Sequence, residues 1–107
     1  MAQVRKTPTA EESLLDIGVY IHQSGDGLET ALKVLGRIDA KALQYANQPM
    51  MGTARPDLGD NVRCFTVEKF VIIYEPSGDG ITILLAIHGS QDVPRVFQER
   101  FRSDCPD

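Results

Sequence analysis

The chain has 107 residues, of which 42% are apolar and 24% charged, and its formal net charge at pH 7 is −4. A chain of this length and composition is expected to form one globular domain, residues 1–107, too short for two cores and too apolar for disorder. The acidic balance argues against binding driven by broad phosphate neutralisation, so no direct sequence-specific nucleic-acid binding is expected, although a small local basic site is compatible with it.

The opening residues, MAQVRKTPT, lack the apolar centre of a signal peptide, and no run of about 18 apolar residues follows. A cytoplasmic protein with no membrane partner is the expectation. The two cysteines, Cys64 and Cys105, have neither CxxC nor Cys/His ligand spacing. No metal, cofactor or disulfide is therefore predicted, and Cys64 reads as a small core residue.

In chain order, Gln3–Lys6 predicts a short strand at an edge or added in parallel to a sheet. Thr9 and Glu12 fit a capping box, followed by Leu14, Ile17 and Ile21 at helical spacing with Leu15 and Tyr20 beside them. Ser24–Gly27 breaks that helix, and Asp26 with Glu29 offers a second capping box. The second helix carries Leu28, Leu32, Leu35, Ile38, Ala42 and Tyr45 as its apolar stripe, and Gln48-Pro49 stops it. The two helices, near residues 9–24 and 26–48, form an antiparallel hairpin that buries its stripes on one face of a sheet.

After a loop over Met50–Gly59, three apolar runs follow: Asn61–Thr66, Phe70–Tyr74 and Ile81–His88. Glu68-Lys69 reverses the chain between the first two. Pro76-Ser77-Gly78-Asp79-Gly80 reads as the hairpin loop before the third. The fold class is α+β, with a mainly antiparallel sheet of three to four strands. Asp92 and Pro94 start a short last helix with Val93, Val96, Phe97 and Phe101 on its apolar side and Arg95, Arg100 and Arg102 on its basic side.

The long strands are apolar on both faces, unlike an antiparallel sheet with one wet face. Strict alternation puts Ile81, Ile83, Leu85 and Ile87 on one face with Phe70, Ile72 and Tyr74. Val71, Ile73, Leu84 and Ala86 fall on the other. The hairpin covers one face. The short last helix is too small for the second, so a protein partner is expected to dock on Val71, Ile73, Leu84, Ala86 and Phe97.

Arg55, Arg63, Lys69 and His88 are the basic residues near the ends of the meander. Arginine and lysine bind phosphate, and histidine moves protons near neutral pH. The structural alternatives weigh more. Arg63 reads as a rim arginine paired with Asp57 or Asp60, Lys69 as a solvated turn residue, and His88 as a strand-end cap. No serine, carboxylate pair or glycine-rich loop gives a catalytic pattern.

Two segments, together with the first helix, carry a family resemblance. The first is Pro49-Met50-Met51-Gly52-Thr53-Ala54-Arg55-Pro56-Asp57-Leu58, then Val62-Arg63-Cys64-Phe65. The second is Phe70–Tyr74, then Gly80-Ile81 through Ile87-His88-Gly89-Ser90-Gln91-Asp92. With Thr9–Tyr20, they resemble the RelE/ParE toxin superfamily, and specifically its ParE branch. The resemblance implies a strand, a helical hairpin and an antiparallel meander with a terminal helix. It also implies a bacterial type II toxin neutralised by a ParD-like antitoxin.

ParE-like members poison DNA gyrase without catalysis. RelE-like members are ribosome-dependent mRNA endoribonucleases, for which Arg55, Arg63 and His88 would be the catalytic candidates. The target-binding candidates are Arg55, Arg63, His88, Gln91, Arg95 and Arg100. Gln91, Glu75 and Leu85 stand where the family commonly has basic residues, which lowers positive charge near the meander's open end. Three readings follow: a gyrase-binding toxin, a ribosome-dependent nuclease, or a binding module without toxicity.

Overall fold

The computed structural model describes residues 2–100, apart from the side chain of Asp26. In chain order its elements are β1 (Val4–Lys6), α1 (Pro8–Ile21), α2 (Gly27–Asn47), β2 (Thr53–Ala54), β3 (Arg63–Val67), β4 (Phe70–Ser77), β5 (Gly80–His88) and α3 (Val93–Arg100). They build an α+β fold on a five-stranded sheet ordered β1-β5-β4-β3-β2. β1 runs parallel to β5, and the other pairings are antiparallel. The fifth strand is β2, two residues long, inside the segment expected to be loop.

Helix α1 starts earlier than its sequence suggests. Its N-cap is Thr7, whose hydroxyl accepts the Ala10 N–H at 3.0 Å, with Pro8 in the first turn. Thr7 also donates its N–H to the Ile83 carbonyl at 3.1 Å and its hydroxyl to the Leu84 carbonyl at 3.2 Å. The helix is thus pinned to β5 where β1 ends, and this tertiary anchor places the cap at Thr7 rather than Thr9. A wide turn over His22–Asp26, with Gly25 at φ 93°, separates the two helices. The capping box expected at Asp26 rests on a side chain outside the described residues, as do Phe101, Arg102 and Cys105.

The Pro76–Gly80 loop is tighter than expected. β4 continues through Pro76 and Ser77, and only Gly78-Asp79 make the turn, since Ser77 pairs with Gly80. β3 begins at Arg63, opposite Tyr74, so at Pro76 β4 has lost its neighbour on that side and a missing N–H is tolerated.

The face assignment also changes. Ile73 pairs with Leu85 but Tyr74 pairs with Ile83, so Leu84 is an extra residue on β5. This bulge reverses the alternation beyond it. Ile81, Ile83 and Ala86 therefore pack with Phe65, Val67, Phe70, Ile72 and Tyr74 under the helices. Leu84, Leu85 and Ile87 pack on the opposite face with Leu58, Val62, Cys64, Ile73 and Phe97. Ala86 is thus not on the second face, and Leu85 and Ile87 are.

The second face is closed by the chain itself. Leu58 from the loop and Phe97 from α3 lie over it, and Ile73, Leu84 and Leu85 are at most 3% exposed. Of the five residues expected to await a partner, Val71 alone stays half-buried and the rest are core.

The helices leave the uncovered apolar surface instead. α2 turns Ala31, Val34, Ile38, Ala42 and Ala46 to the sheet, while Leu28 and Leu32 are 62% and 60% exposed. The sheet beneath already holds Phe65, Phe70 and Tyr74, and Tyr45 of α2 stacks on Phe65 with centroids 4.6 Å apart. That crowding favours alanines over leucines at the contact. On α1, Leu15 and Val19 are exposed as well. No helix among the described residues is long and apolar enough to cross a membrane.

Candidate functional site

The two segments carrying the family resemblance form different structures. The first is a clamp. Tyr74, fully buried on β4, donates its hydroxyl to the Pro49 carbonyl at 2.7 Å and accepts the Gly52 N–H at 3.0 Å. Arg63 donates to the carbonyls of Met50 at 3.0 Å and Gly52 at 2.7 Å. The turn after α2 is thereby tied to β3 and β4. Gly52 is required by close approach: a Cβ there would lie 2.2 Å from the Tyr74 hydroxyl. Burial raises the Tyr74 pKa and keeps the phenol protonated as a donor, a shift only partly offset by its contact with Gly52.

Arg55 and Asp57 form a two-bond pair at 3.1 and 2.9 Å. The guanidinium hydrogen bond holds the Asp57 carboxyl below its ordinary range, and the same bond raises Arg55. Arg63 does not pair with Asp57 or Asp60 as expected, because the carbonyls of the clamp engage it. Arg55 takes Asp57.

The second segment shapes a cleft of about 360 Å³ at the far end of β5, between α1 and α3. Tyr20 and Asp16 line it from α1, Phe70 and His88 from the sheet, and Ser90, Gln91 and Arg100 from beyond β5. The imidazole of His88 meets the rings of Tyr20 and Phe70 edge-on, with centroids 5.8 and 5.6 Å away. Ser90 donates its N–H to His88 Nδ1 at 3.1 Å, and its hydroxyl lies 2.6 Å from the same nitrogen. Since Nδ1 accepts the backbone proton, the ring proton of neutral His88 sits on Nε2. A serine two residues beyond a histidine is local turn chemistry, and among the described residues no carboxylate orients the ring, so the contact does not make a nucleophile.

Gln91 and Arg100 are both tied back to the chain. The Gln91 side-chain oxygen accepts the His88 N–H at 3.3 Å, and Gln91 N–H bonds the His88 carbonyl at 3.1 Å. Arg100 reaches from α3 to Glu12 at 3.3 Å and Asp16 at 3.1 Å on α1, closing one side of the cleft. Arg95 lies away from the cleft lining, paired with Glu99 at 3.0 Å, and that contact raises its pKa. Among the described residues no cluster of three or more His, Cys, Asp or Glu side chains could hold a metal ion.

The site candidates therefore divide. His88, Gln91 and Arg100 converge on the cleft. Arg55 and Arg63 belong to the clamp: His88 pairs with Phe70, Phe70 with Val67, and Arg63 lies four residues along β3. Strand spacing and rise put the His88 and Arg63 backbones roughly 16 Å apart. Tyr20, Asp16 and Ser90 were missed by sequence reasoning. Tyr20 had a signal, an aromatic beside the buried stripe of α1. Asp16 had none, because the packing of α1 on the sheet's end and α3 brings it there, and Ser90 follows His88 through the local turn.

The comparisons with known proteins agree with this architecture. A family model described as the ParE toxin of the type II toxin–antitoxin system parDE matches residues 4–93. A solved structure described as the chromosomal ParDE TA system from P. aeruginosa is similar, with a TM-score of 0.68 and 26% identity over 82% of this chain and 96% of that one. No curated protein matches. With a family model running from β1 to the start of α3, this chain belongs to the ParE toxin family of type II toxin–antitoxin systems.

Proposed function

We propose that the chain is a non-enzymatic toxin that inhibits DNA gyrase and is neutralised by a ParD-like antitoxin. The carrying observation is the dispersal of the basic residues a nuclease would need. Arg55 is paired with Asp57, Arg63 is bonded to two backbone carbonyls, and His88 lies at the far end of the sheet. Phosphoryl-transfer chemistry needs a base and charge-stabilising donors converging within hydrogen-bond reach of one reacting centre. That supports a toxin acting by binding, with the cleft around His88, Gln91 and Arg100 as the target contact.

The antitoxin docks on the helical hairpin in this reading. Leu15, Val19, Leu28 and Leu32 stay exposed while the second sheet face is closed. Gly18 of α1 packs against Leu35 of α2, which brings the two exposed sets together along one ridge. Covering each of these side chains contributes about 1.5–3 kcal/mol, offset by the cost of ordering the antitoxin segment.

The test runs purified protein in two assays, gyrase supercoiling and ribosome-dependent message cleavage. Inhibition of supercoiling with no cleavage at the same concentration is the expected result. Cleavage that His88→Ala abolishes overturns the reading in favour of a nuclease.

A further inference from the structure

On α2, Lys33, Arg37 and Lys41 recur every fourth residue and share one side of the helix. In a chain of net charge −4 this is a local reversal of sign. Arg37 and Lys41 of this stripe lie beside the free edge of β3. β2 pairs with Arg63 and Cys64, so among the described residues Phe65–Val67 have no strand neighbour on that side. Between helix and edge runs a groove of about 410 Å³, lined by Arg37, Lys41, Gln44, Thr66 and Glu68 among others.

The edge presents a backbone pair to this groove. Arg55 donates its N–H to the Val62 carbonyl, which fixes the side of β3 that faces β2. Two residues on is Cys64, and two further is Thr66, so Thr66 turns its N–H and C=O outward. Its carbonyl accepts Lys41 Nζ at 2.7 Å. Arg37 pairs with Glu68 at 3.2 Å, and Lys33 reaches Glu29 at 3.9 Å. These contacts are exposed, and exposed pairs of this kind exchange at little cost.

We infer that the groove receives an extended, acidic polypeptide segment from a protein partner. The segment adds to β3 as a strand at Thr66, and its carboxylates replace Glu68 on Arg37 and the Thr66 carbonyl on Lys41. The inference rests on the reading of this chain as one controlled by a protein partner, and it names the chemistry of that partner's segment. Nucleic acid fits less well: Glu68 and Glu29 interrupt the stripe, and a phosphate backbone has no use for the strand edge.

The experiment uses the full chain and a fluorescein-labelled ten-residue peptide of alternating glutamate and valine, read by anisotropy at 0.15 M salt. Saturable binding is expected. The exposed double variant Arg37→Glu/Lys41→Glu, checked for an unchanged thermal midpoint, should weaken it at least tenfold. Glu68→Gln, which removes the competing carboxylate, should strengthen it several-fold. A peptide N-methylated at alternate amides keeps its charge but cannot pair as a strand, and it should also lose at least tenfold.

No saturable binding, equal affinity for the N-methylated peptide, or indifference to the double variant would each overturn the inference. So would displacement of the peptide by a mixed-sequence RNA oligonucleotide at lower concentration than the unlabelled peptide needs. Loss of gyrase inhibition as a property of the wild type, with peptide binding intact, would instead overturn the target assignment and leave the groove standing.

Discussion

The hydroxyl of Ser13 on α1 accepts the backbone N–H of Ala86 on β5 at 3.0 Å while donating to the Ala10 carbonyl at 2.9 Å, and Ser13 is fully buried. β1 ends at Lys6, so among the described residues no strand lies beside the outer edge of β5 beyond Ile83. Thr7 and Ser13 supply side-chain partners in place of that strand. Ser13→Ala leaves the Ala86 N–H buried without an acceptor and is expected to cost about 1–3 kcal/mol. Urea unfolding should show a lower midpoint with an unchanged slope.

The Gly52–Tyr74 contact predicts non-additivity. Gly52→Ala drives a methyl into the Tyr74 ring and hydroxyl, and Tyr74→Phe removes the hydroxyl together with its bonds to Pro49 and Gly52. Each is expected to cost on the order of 1–3 kcal/mol. In the double variant the shortest clash is gone, so the combined loss should fall short of the sum. A double-mutant cycle by denaturant unfolding measures the coupling.

Tyr74 also sets an alkaline limit. Burial raises its folded pKa above the ordinary tyrosine value of about 10. The unfolded phenol therefore ionises first, and the stability this group contributes is complete below about pH 10 and is lost as pH rises through the folded value. Wild-type stability should thus fall more steeply above pH 10 than that of Tyr74→Phe. Parallel slopes for the two proteins between pH 9 and 11 would contradict this.

Two leucines separate folding from partner binding. Leu84 is 3% exposed in the second cluster, and Leu32 is 60% exposed on the hairpin. Leu84→Glu buries a charge and should unfold the protein or lower its stability by several kcal/mol. Leu32→Glu should change stability by less than about 0.5 kcal/mol yet weaken the complex with the antitoxin, measured by calorimetry. Full affinity in Leu32→Glu would move the antitoxin off the hairpin.

Gln91 caps the strand end by accepting the His88 N–H, a role open to an amide oxygen but not to a guanidinium, which has no acceptor. Gln91→Arg should free that side chain toward the cleft. Under the gyrase reading, inhibition of supercoiling should then strengthen several-fold, with a larger dependence on salt. Unchanged potency would place the target contact elsewhere.

How much of this was legible beforehand follows from what each feature depends on. The helical hairpin, the meander, a short first strand and the Asp92 cap were readable, because periodicity, turn residues and capping are local. The Asp92 carboxylate does accept the Arg95 N–H, at 3.3 Å. The order of motifs from Pro49 to Asp92 pointed to the family, since segments that build a clamp and a strand end keep their spacing.

What the sequence by itself determined, then, was the type and order of the longer elements and the family, all set by neighbouring residues. The tertiary structure alone decided which apolar residues are core. One unmatched residue, Leu84, reverses the alternation of β5, and no local pattern marks it, because a bulge is a property of two strands in register. It alone decided which stripe of α2 faces inward, since Leu28–Leu32 and Ala31–Val34–Ile38 are both helical repeats and the aromatic-crowded sheet favours the smaller one. It also separated Arg63 from His88, because distance across a sheet depends on strand order, which the chain expresses only once folded.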